Sequence, residues 1–420
     1  MSARYGDGGG SAAGRPGTQH ETGGSGRARR RPGGLVRALR GVAAGVASLI
    51  ALLLTVLLLG AYLPGIPGVG VIGAVLGGQY PFHLAVLALA AMVIAGLVWW
   101  TGLVRYGRAL TTVTAACTAA ALFIAGVQLR AAAREDTDIS WGEVFTEVAY
   151  PDTAPDETAT FARFSGQELE ADVYLPGRTG GPPRPAVVLA HAGGFRTFDK
   201  SDLRGTGRWL AAHGVAAFAV DYRLSTPAEP TWNKAPQDVV CALAWVRENA
   251  DRFHVSPSRI SLAGMSAGGA LALGAAYRLA DGSISSSCGS TPAPPASVIG
   301  FYPAEDLHRM WSDDPAGGRE AATWFTGGTP QQYPARYRLT SPARQIRAGL
   351  MPTLLVVGDR DRSVPSERIR TFGTRLARHG VDAQVKVLPY SEHAFDDAYG
   401  SVTSQTSRRI MLRFLTAHGT

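Results

Sequence analysis

The chain has 420 residues and a formal charge of +8, long enough for one large domain with additional segments. Its charge is unevenly placed: residues 1–40 hold eight arginines against Asp7 and Glu21, Arg105, Arg108 and Arg130 follow, and the remainder is close to neutral. That distribution argues for a basic flank beside a membrane and against a nucleic-acid-binding domain.

Residues 1–34 are rich in Gly, Ser, Arg and Ala and nearly free of large apolar side chains. They cannot bury enough surface to offset their ordering entropy, so they read as a disordered basic tail. The segment is longer and more polar than the n-region of a cleaved leader.

Residues 35–130 contain no Asp, Glu or Lys. Three stretches, about 41–62, 81–104 and 109–128, reach the roughly 20 apolar residues needed to cross a bilayer. Core helices of a soluble domain would show an amphipathic period, which these runs lack. Leu63–Tyr80, with Pro64 and Pro67, reads either as an external loop or as a shallow re-entrant segment. Arg27 to Arg31, Arg37 and Arg40 precede the first span, and Arg105 and Arg108 fall in the expected tight loop between the second and third. Positive loops stay cytoplasmic, which puts the N-terminus inside and the remainder of the chain outside after three crossings. Arg130 and Arg134, just past the third span, count the other way. No ionisable residue lies inside the spans except His83 near one edge, so they read as an anchor and not as an ion path.

A linker, 131–157, leads to a region, 158–420, with the composition of a globular enzyme. Thr158–Phe164 and Leu169–Leu175 read as a strand pair. Buried strands are expected at 185–190, 215–221, 260–263, 297–301, 353–357 and 384–388, and helices at 203–213, 234–252, 267–280, 366–379 and 402–417. Strands alternating with helices predict a mostly parallel sheet covered on both faces, an α/β fold preceded by an all-α transmembrane segment. Of three cysteines, Cys117 lies in an apolar run. Cys241 and Cys288 could pair if exported, although two unpaired thiols is the default reading.

Four elements carry chemistry. Gly264-Met265-Ser266-Ala267-Gly268 lies between a predicted strand and a predicted helix, where small residues relieve a sharp turn and expose a serine hydroxyl. His191-Ala192-Gly193-Gly194-Phe195 follows a strand, and its glycines let backbone N–H groups approach a developing oxyanion. The candidate donors are Gly193, Gly194 and Ala267, with His191 a structural brace. Gly358 to Pro365 offers two acids; Asp361, deeper in the loop, is favoured over Asp359 as the group that orients an imidazole. Ser391-Glu392-His393-Ala394-Phe395 supplies that imidazole, whereas His379 and His418 read as surface residues. The order serine, acid, histidine is that of one class of hydrolases.

Residues from about 158 to 418 resemble the α/β-hydrolase superfamily, closest to its feruloyl-esterase-like (BD-FAE type) and hormone-sensitive-lipase-like carboxylesterases. The matching stretches are Leu169 to Pro176, His191 to Phe195, Asp221 to Leu224, Gly264 to Gly269, Phe325 to Pro342, Asp361 to Pro365 and His393 to Phe395. The resemblance implies Ser266 as nucleophile, Asp361 as acid, His393 as base, and Gly193, Gly194 and Ala267 as oxyanion donors. Ala192 stands where many relatives have Gly, and residues 1–140 lie outside the resemblance.

The expected activity is hydrolysis of small-molecule or lipid carboxylic esters through an acyl-enzyme, at a membrane. Acyl transfer to a membrane or envelope alcohol, a peptidase of the prolyl-oligopeptidase type and a non-catalytic scaffold are the alternatives. No cofactor is implied, and no cluster has metal-ligand spacing. Trp311, Trp324, Phe325 and Tyr333, in the segment 304–338, either line an acyl pocket or pack the insertion. Arg223 reads as a salt-bridged brace.

Overall fold

A lipid interior requires every backbone N–H and C=O to be paired within the chain, and long apolar helices meet that requirement. The computed structural model describes residues 33–164, 166–177, 181–314 and 317–418. The expected tail, including Arg27 to Arg31, lies almost wholly outside these residues. The first helices are α1 (Gly34–Tyr62), α2 (Val69–Gln79), α3 (Pro81–Trp100) and α4 (Val104–Arg134). Three of them, α1, α3 and α4, are long and apolar enough to cross a membrane. Leu49, Leu52, Val86, Leu89, Val93, Leu122 and Phe123 are exposed on them, as suits an apolar surround.

Local chemistry sets these boundaries. Pro64 disfavours helix at Leu63 and ends α1, and Pro81 occupies the first turn of α3, where its missing N–H costs nothing. Two expectations change. The turn between α3 and α4 is only Thr101–Leu103, with Gly102 at φ +111°, so Arg105 and Arg108 lie in the first turns of α4 and not in a loop. Leu63–Tyr80 is largely the helix α2, packed along α1. Arg40 Nη1 donates to the Thr101 carbonyl (2.8 Å), which places the start of α1 and the α3–α4 turn at the same end.

At the other end, the expected linker carries α5 (Trp141–Thr146) and leads into the sheet. Its strands are β1 (Glu157–Phe164), β2 (Gln167–Tyr174), β3 (Arg184–Ala190), β4 (Ala216–Val220), β5 (Val255–Met265), β6 (Val298–Phe301), β7 (Thr353–Gly358) and β8 (Ala383–Leu388). They run in the order β1-β2-β4-β3-β5-β6-β7-β8, antiparallel for β1–β2 and β2–β4 and parallel elsewhere. The sheet domain's helices are α6 (Arg204–Ala212), α7 (Ala235–Glu248), α8 (Ala250–Phe253), α9 (Ala267–Ala280), α10 (Leu307–Asp313), α11 (Gly318–Thr326), α12 (Pro334–Thr340), α13 (Ser366–Arg378) and α14 (Val402–His418). The central strands are covered on both faces; Val187, Leu189, Leu262, Leu354 and Val356 are fully buried. Each such side chain contributes about 1.5–3 kcal/mol relative to exposure. The chain leaves β3 toward β4 on one side and returns to β5 on the other. This reversal opens a crevice at the strands' carboxyl ends, where ligands bind in open α/β sheets.

The structure pairs Cys241, on α7, with Cys288, in the loop after α9, at a Cα–Cα distance of 5.4 Å, against the reading of two free thiols. Sequence gave no means of bringing positions 47 apart to bonding distance; the packing of α7 beside α9 does so. Arg223 is the expected brace, its guanidinium held by Asp238 through Nε (2.9 Å) and Nη2 (2.6 Å).

The helical bundle and the sheet domain touch directly. Lys386 on β8 pairs with Glu135 (2.6 Å), and Arg408 on α14 with Glu143 (3.0 Å). Gln405 accepts from the Ser140 N–H (2.8 Å), and Tyr80 donates its hydroxyl proton to the Val148 carbonyl (2.7 Å). Tyr390, in the loop after β8, inserts its ring among Leu54, Leu58, Ala88 and Ile124 of the bundle and meets the Tyr62 ring edge-on at 5.6 Å.

Candidate active site

Register places the pieces. Ala190, the last residue of β3, pairs with Gly264 on β5, and Met265 pairs with Phe301 on β6. The His191–Gly194 loop therefore emerges beside Ser266. A Cβ at Gly268 would lie 2.2 Å from the Ala190 carbonyl oxygen, so only glycine lets α9 pack this closely over the end of β3. Ser266 has φ +52°, ψ −113°, a strained conformation costing on the order of 1–3 kcal/mol. Its neighbours enforce it: the Ser266 N–H donates to Phe301 O (2.9 Å), and its own carbonyl accepts from Ala270 (3.1 Å) and Ala304 (3.3 Å).

Ser266, His393 and Asp361 come together from three separate loops. His393 Nε2 lies 2.9 Å from Ser266 Oγ, and Nδ1 lies 2.9 Å from Asp361 Oδ2. With the Nδ1 proton donated to the carboxylate, Nε2 is left as acceptor for the serine proton. The Asp361 side chain is fully buried, and its second oxygen accepts from the Val364 N–H (2.7 Å). Burial works against a charged His393, but the charge of Asp361 and its hydrogen bond outweigh it and hold the imidazole pKa above its ordinary value. Asp359 stays apart from the imidazole, beside Arg360 (3.6 Å).

Gly193 and Gly194 line the cavity that Ser266 and His393 share, at φ +107° and +57°. Their N–H groups, and that of Ala267, have no partner among the described residues. Ala267 stands behind Ser266 as the first residue of α9 and does not itself line the cavity. His191 is buried, stacked on Tyr222 at 4.2 Å, with Nδ1 2.7 Å from the Ala192 carbonyl. Burial lowers its pKa and keeps it neutral, which suits a brace. Tyr222 completes the brace, its hydroxyl donating toward His191 O (3.0 Å) and Ala192 O (3.1 Å).

Sequence reasoning missed two supports of this arrangement. Glu392 accepts from the Arg362 N–H and Nε (both 2.8 Å), tying the acid loop to the base loop. Tyr302 packs against the His393 ring (4.5 Å) and donates its hydroxyl to the buried Asp396. The first had a faint signal, an acid adjoining the histidine and a base adjoining the aspartate. The second joins positions too far apart in sequence to suggest a pair.

The cavity measures about 990 Å³. One wall comes from α10 and α11, through Met310, Ala321 and Trp324. The other aromatic candidates do not line it: Phe325 stacks on Phe195 (4.0 Å), Trp311 donates to Thr323 (3.1 Å), and Tyr333 is half-exposed under Arg336. Among the described residues no group of three or more His, Cys, Asp or Glu could hold a metal ion. The arrangement can take a proton from Ser266, store it on His393 and steady an anion near the glycine N–H groups.

Residues 171–376 match the family model described as BD-FAE. The chain carries a BD-FAE domain on an α/β-hydrolase fold. The chain aligns with Esterase LipC of Mycobacterium tuberculosis at 30% identity over 249 residues, 56% of this chain and 60% of that protein. It also aligns with the non-reducing polyketide synthase stbA of Stachybotrys bisbyi at 24% identity over 309 residues, 57% of this chain and 14% of the synthase. This chain therefore spans less than two thirds of either relative. Among solved structures, apo esterase 2 of Thermogutta terrifontis superposes with a TM-score of 0.54 at 23% identity, covering 64% of this chain and 96% of that one. A likeness at that identity establishes the fold of the BD-FAE domain.

Proposed function

We propose that this protein is a membrane-anchored carboxylic ester hydrolase working through an acyl-enzyme. The observation that carries the reading is the unbroken chain Asp361–His393–Ser266, with 2.9 Å at both links, opening on a cavity lined by Gly193 and Gly194. Ser266 Oγ attacks the ester carbonyl while His393 takes its proton and Asp361 steadies the imidazolium. The Gly193, Gly194 and Ala267 N–H groups hold the oxyanion. His393 then protonates the leaving alcohol, and water, activated by the same imidazole, releases the acid. The likeness to Esterase LipC supports the same reading.

The test is hydrolysis of a chromogenic ester series, acetyl to long acyl, by the full chain in detergent. Turnover is expected, with kcat/KM rising with pH as His393 loses its proton. Because Asp361 raises that pKa, the rise is centred above the ordinary imidazole value of about 6.5. Asp361→Asn removes the largest raising influence and leaves burial opposed only by the more distant Glu392 and Asp396, so the centre moves down while kcat falls by about 10⁴-fold. An inflection unmoved by Asp361→Asn would remove His393 as the base.

We further infer that the N-terminus is cytoplasmic and the BD-FAE domain lies outside. Arg37, Arg40, Arg105 and Arg108 gather at one end of the bundle, and residues 63–80 at the other end carry no Lys or Arg. The Cys241–Cys288 bond also belongs to an oxidising compartment. Protease added to intact cells should remove the domain, and both cysteines should resist alkylation until reduced. Protection from protease together with alkylation before reduction would reverse the assignment.

A further inference from the structure

The cavity is lopsided in charge. Among the described residues it is lined by six carboxyl-bearing side chains and three arginines. Each arginine is already engaged: Arg204 by Asp152 and Asp172, Arg368 by Asp313, and Arg196 by Glu320. None is left to receive an anionic substrate. Most of the acids are committed as well. Asp306 caps α10 and pairs with Arg344 (2.8 Å), Asp202 accepts from the Asp199 N–H (3.1 Å), and Asp396 accepts from Tyr302. Asp397 stands exposed.

Glu305 is different. It is the neighbour of Ala304, whose N–H donates to the Ser266 carbonyl, so it sits close to the nucleophile's turn. The residue is only 6% exposed, yet no other residue forms a hydrogen bond or ion pair with its carboxylate. The charged groups facing it are Arg368 from α13 and Asp306 and Arg309 from the start of α10. Arg368 is held by Asp313. Its one hydrogen bond is to its own backbone N–H, and the side chain lines the cavity. Burial pushes this carboxyl up to about 7. An unpaired acid in such a place is costly, and buried polar groups without partners mark places where a ligand completes the set.

We propose that Glu305 is the recognition group for an organic cation carried by the ester substrate, such as a substituted ammonium. The proposal rests on the hydrolase reading above and narrows its substrate class. A cation entering the cavity would find a carboxylate that no other residue bonds, with the lining guanidinium nearest to it, Arg368, already held by Asp313 and Arg309 facing Glu305 from outside the lining. A neutral alkyl group of the same shape would leave Glu305 unpaired and gain nothing from it.

The experiment compares isosteres on the full chain in detergent at about pH 8, where Glu305 is ionised. Acetylcholine is set against 3,3-dimethylbutyl acetate on the alcohol side. The 4-nitrophenyl ester of 4-(trimethylammonio)butyrate is set against that of 5,5-dimethylhexanoate on the acyl side. In one pair the cationic member should show kcat/KM about tenfold higher or more, and Glu305→Gln should bring that ratio close to one, mainly through KM. Ratios near one in the parent for both pairs, or a ratio unchanged by Glu305→Gln, would overturn the proposal. Choline binding followed by calorimetry on the Ser266→Ala chain keeps the test separate from turnover. Binding there that is lost on adding Glu305→Gln sustains the cation site, and absence of choline binding together with ratios near one removes it. Failure of the parent to hydrolyse any ester, with choline still bound through Glu305, would sink the hydrolase reading alone.

Discussion

Ser266→Ala should lower kcat for a chromogenic ester by about 10⁴- to 10⁶-fold while leaving the protein folded. Among the described residues, the hydroxyl is the one group in the cavity within 2.9 Å of an imidazole oriented by a buried carboxylate. Alanine removes the nucleophile without disturbing the bonds that hold the turn, because the Ser266 N–H and carbonyl make them. His393→Ala should cost about as much, and the double variant little more than either, since groups that act as one unit are not additive. The residual rate would come from binding and from the N–H groups of Gly193, Gly194 and Ala267. The check is single-turnover kinetics on purified variants with matched thermal unfolding. Retention of more than about one per cent of the parent kcat by Ser266→Ala, far above the expected residue, would show that another group makes the attack.

The second large effect is expected far from the reacting atoms. Gly78, at the end of α2, lies so close to the loop after β8 that a Cβ would sit 1.9 Å from the Tyr390 carbonyl oxygen. That oxygen is backbone and cannot swing away. Gln128 Nε2 donates to the Gly78 carbonyl (2.6 Å), fixing the seat, and Gln79 reaches the Ala394 carbonyl at 3.5 Å. The loop between those contacts carries His393, with Tyr390 and Ala394 both at positive φ. Gly78→Ala must therefore push the loop or α2 aside. A displacement of about 1 Å in a catalytic group can cost on the order of a hundredfold. We expect kcat to fall ten- to a hundredfold with KM little changed, and the pH inflection to drop as His393 draws away from Asp361. Gly96→Ala and Gly126→Ala, in the same bundle with open space around each Cβ position, should leave kcat at the parent value. A Gly78→Ala chain with parental kcat and inflection would show that the bundle does not position the base.

Much of this was legible in the sequence where the signal is local. The buried strands and helices of the sheet domain announced themselves through period and punctuation, and the elbow at Ser266 through closely spaced glycines between a strand and a helix. Asp361 was favoured over Asp359 for its depth in the loop, and it is the one whose carboxylate lies 2.9 Å from His393 Nδ1. What stayed hidden depends on neighbours distant in sequence. Charge counting put Arg105 and Arg108 in a loop because apolar runs blur a three-residue turn. The residues from Leu63 to Tyr80 gave no helix signal, since Gly and Pro are poor helix formers in water, and packing along α1 stabilises α2 regardless. Glu305 looks unremarkable beside Asp306 in the sequence; only the fold shows that one is paired and the other is not.

The contact between Gly78 and Tyr390 also bears on how the protein is made. Synthesis runs from the N-terminus, and domains form in that order. On that order the bundle would be in place before the segment bearing His393 leaves the ribosome. That segment closes against a surface already built, so the seat acts as a template for the last catalytic group to arrive. A chain whose bundle had not assembled would have no such template, and the loop bearing His393 would reach Ser266 without the Gly78 and Gln79 contacts that seat it. Competence for chemistry would then follow assembly of the bundle.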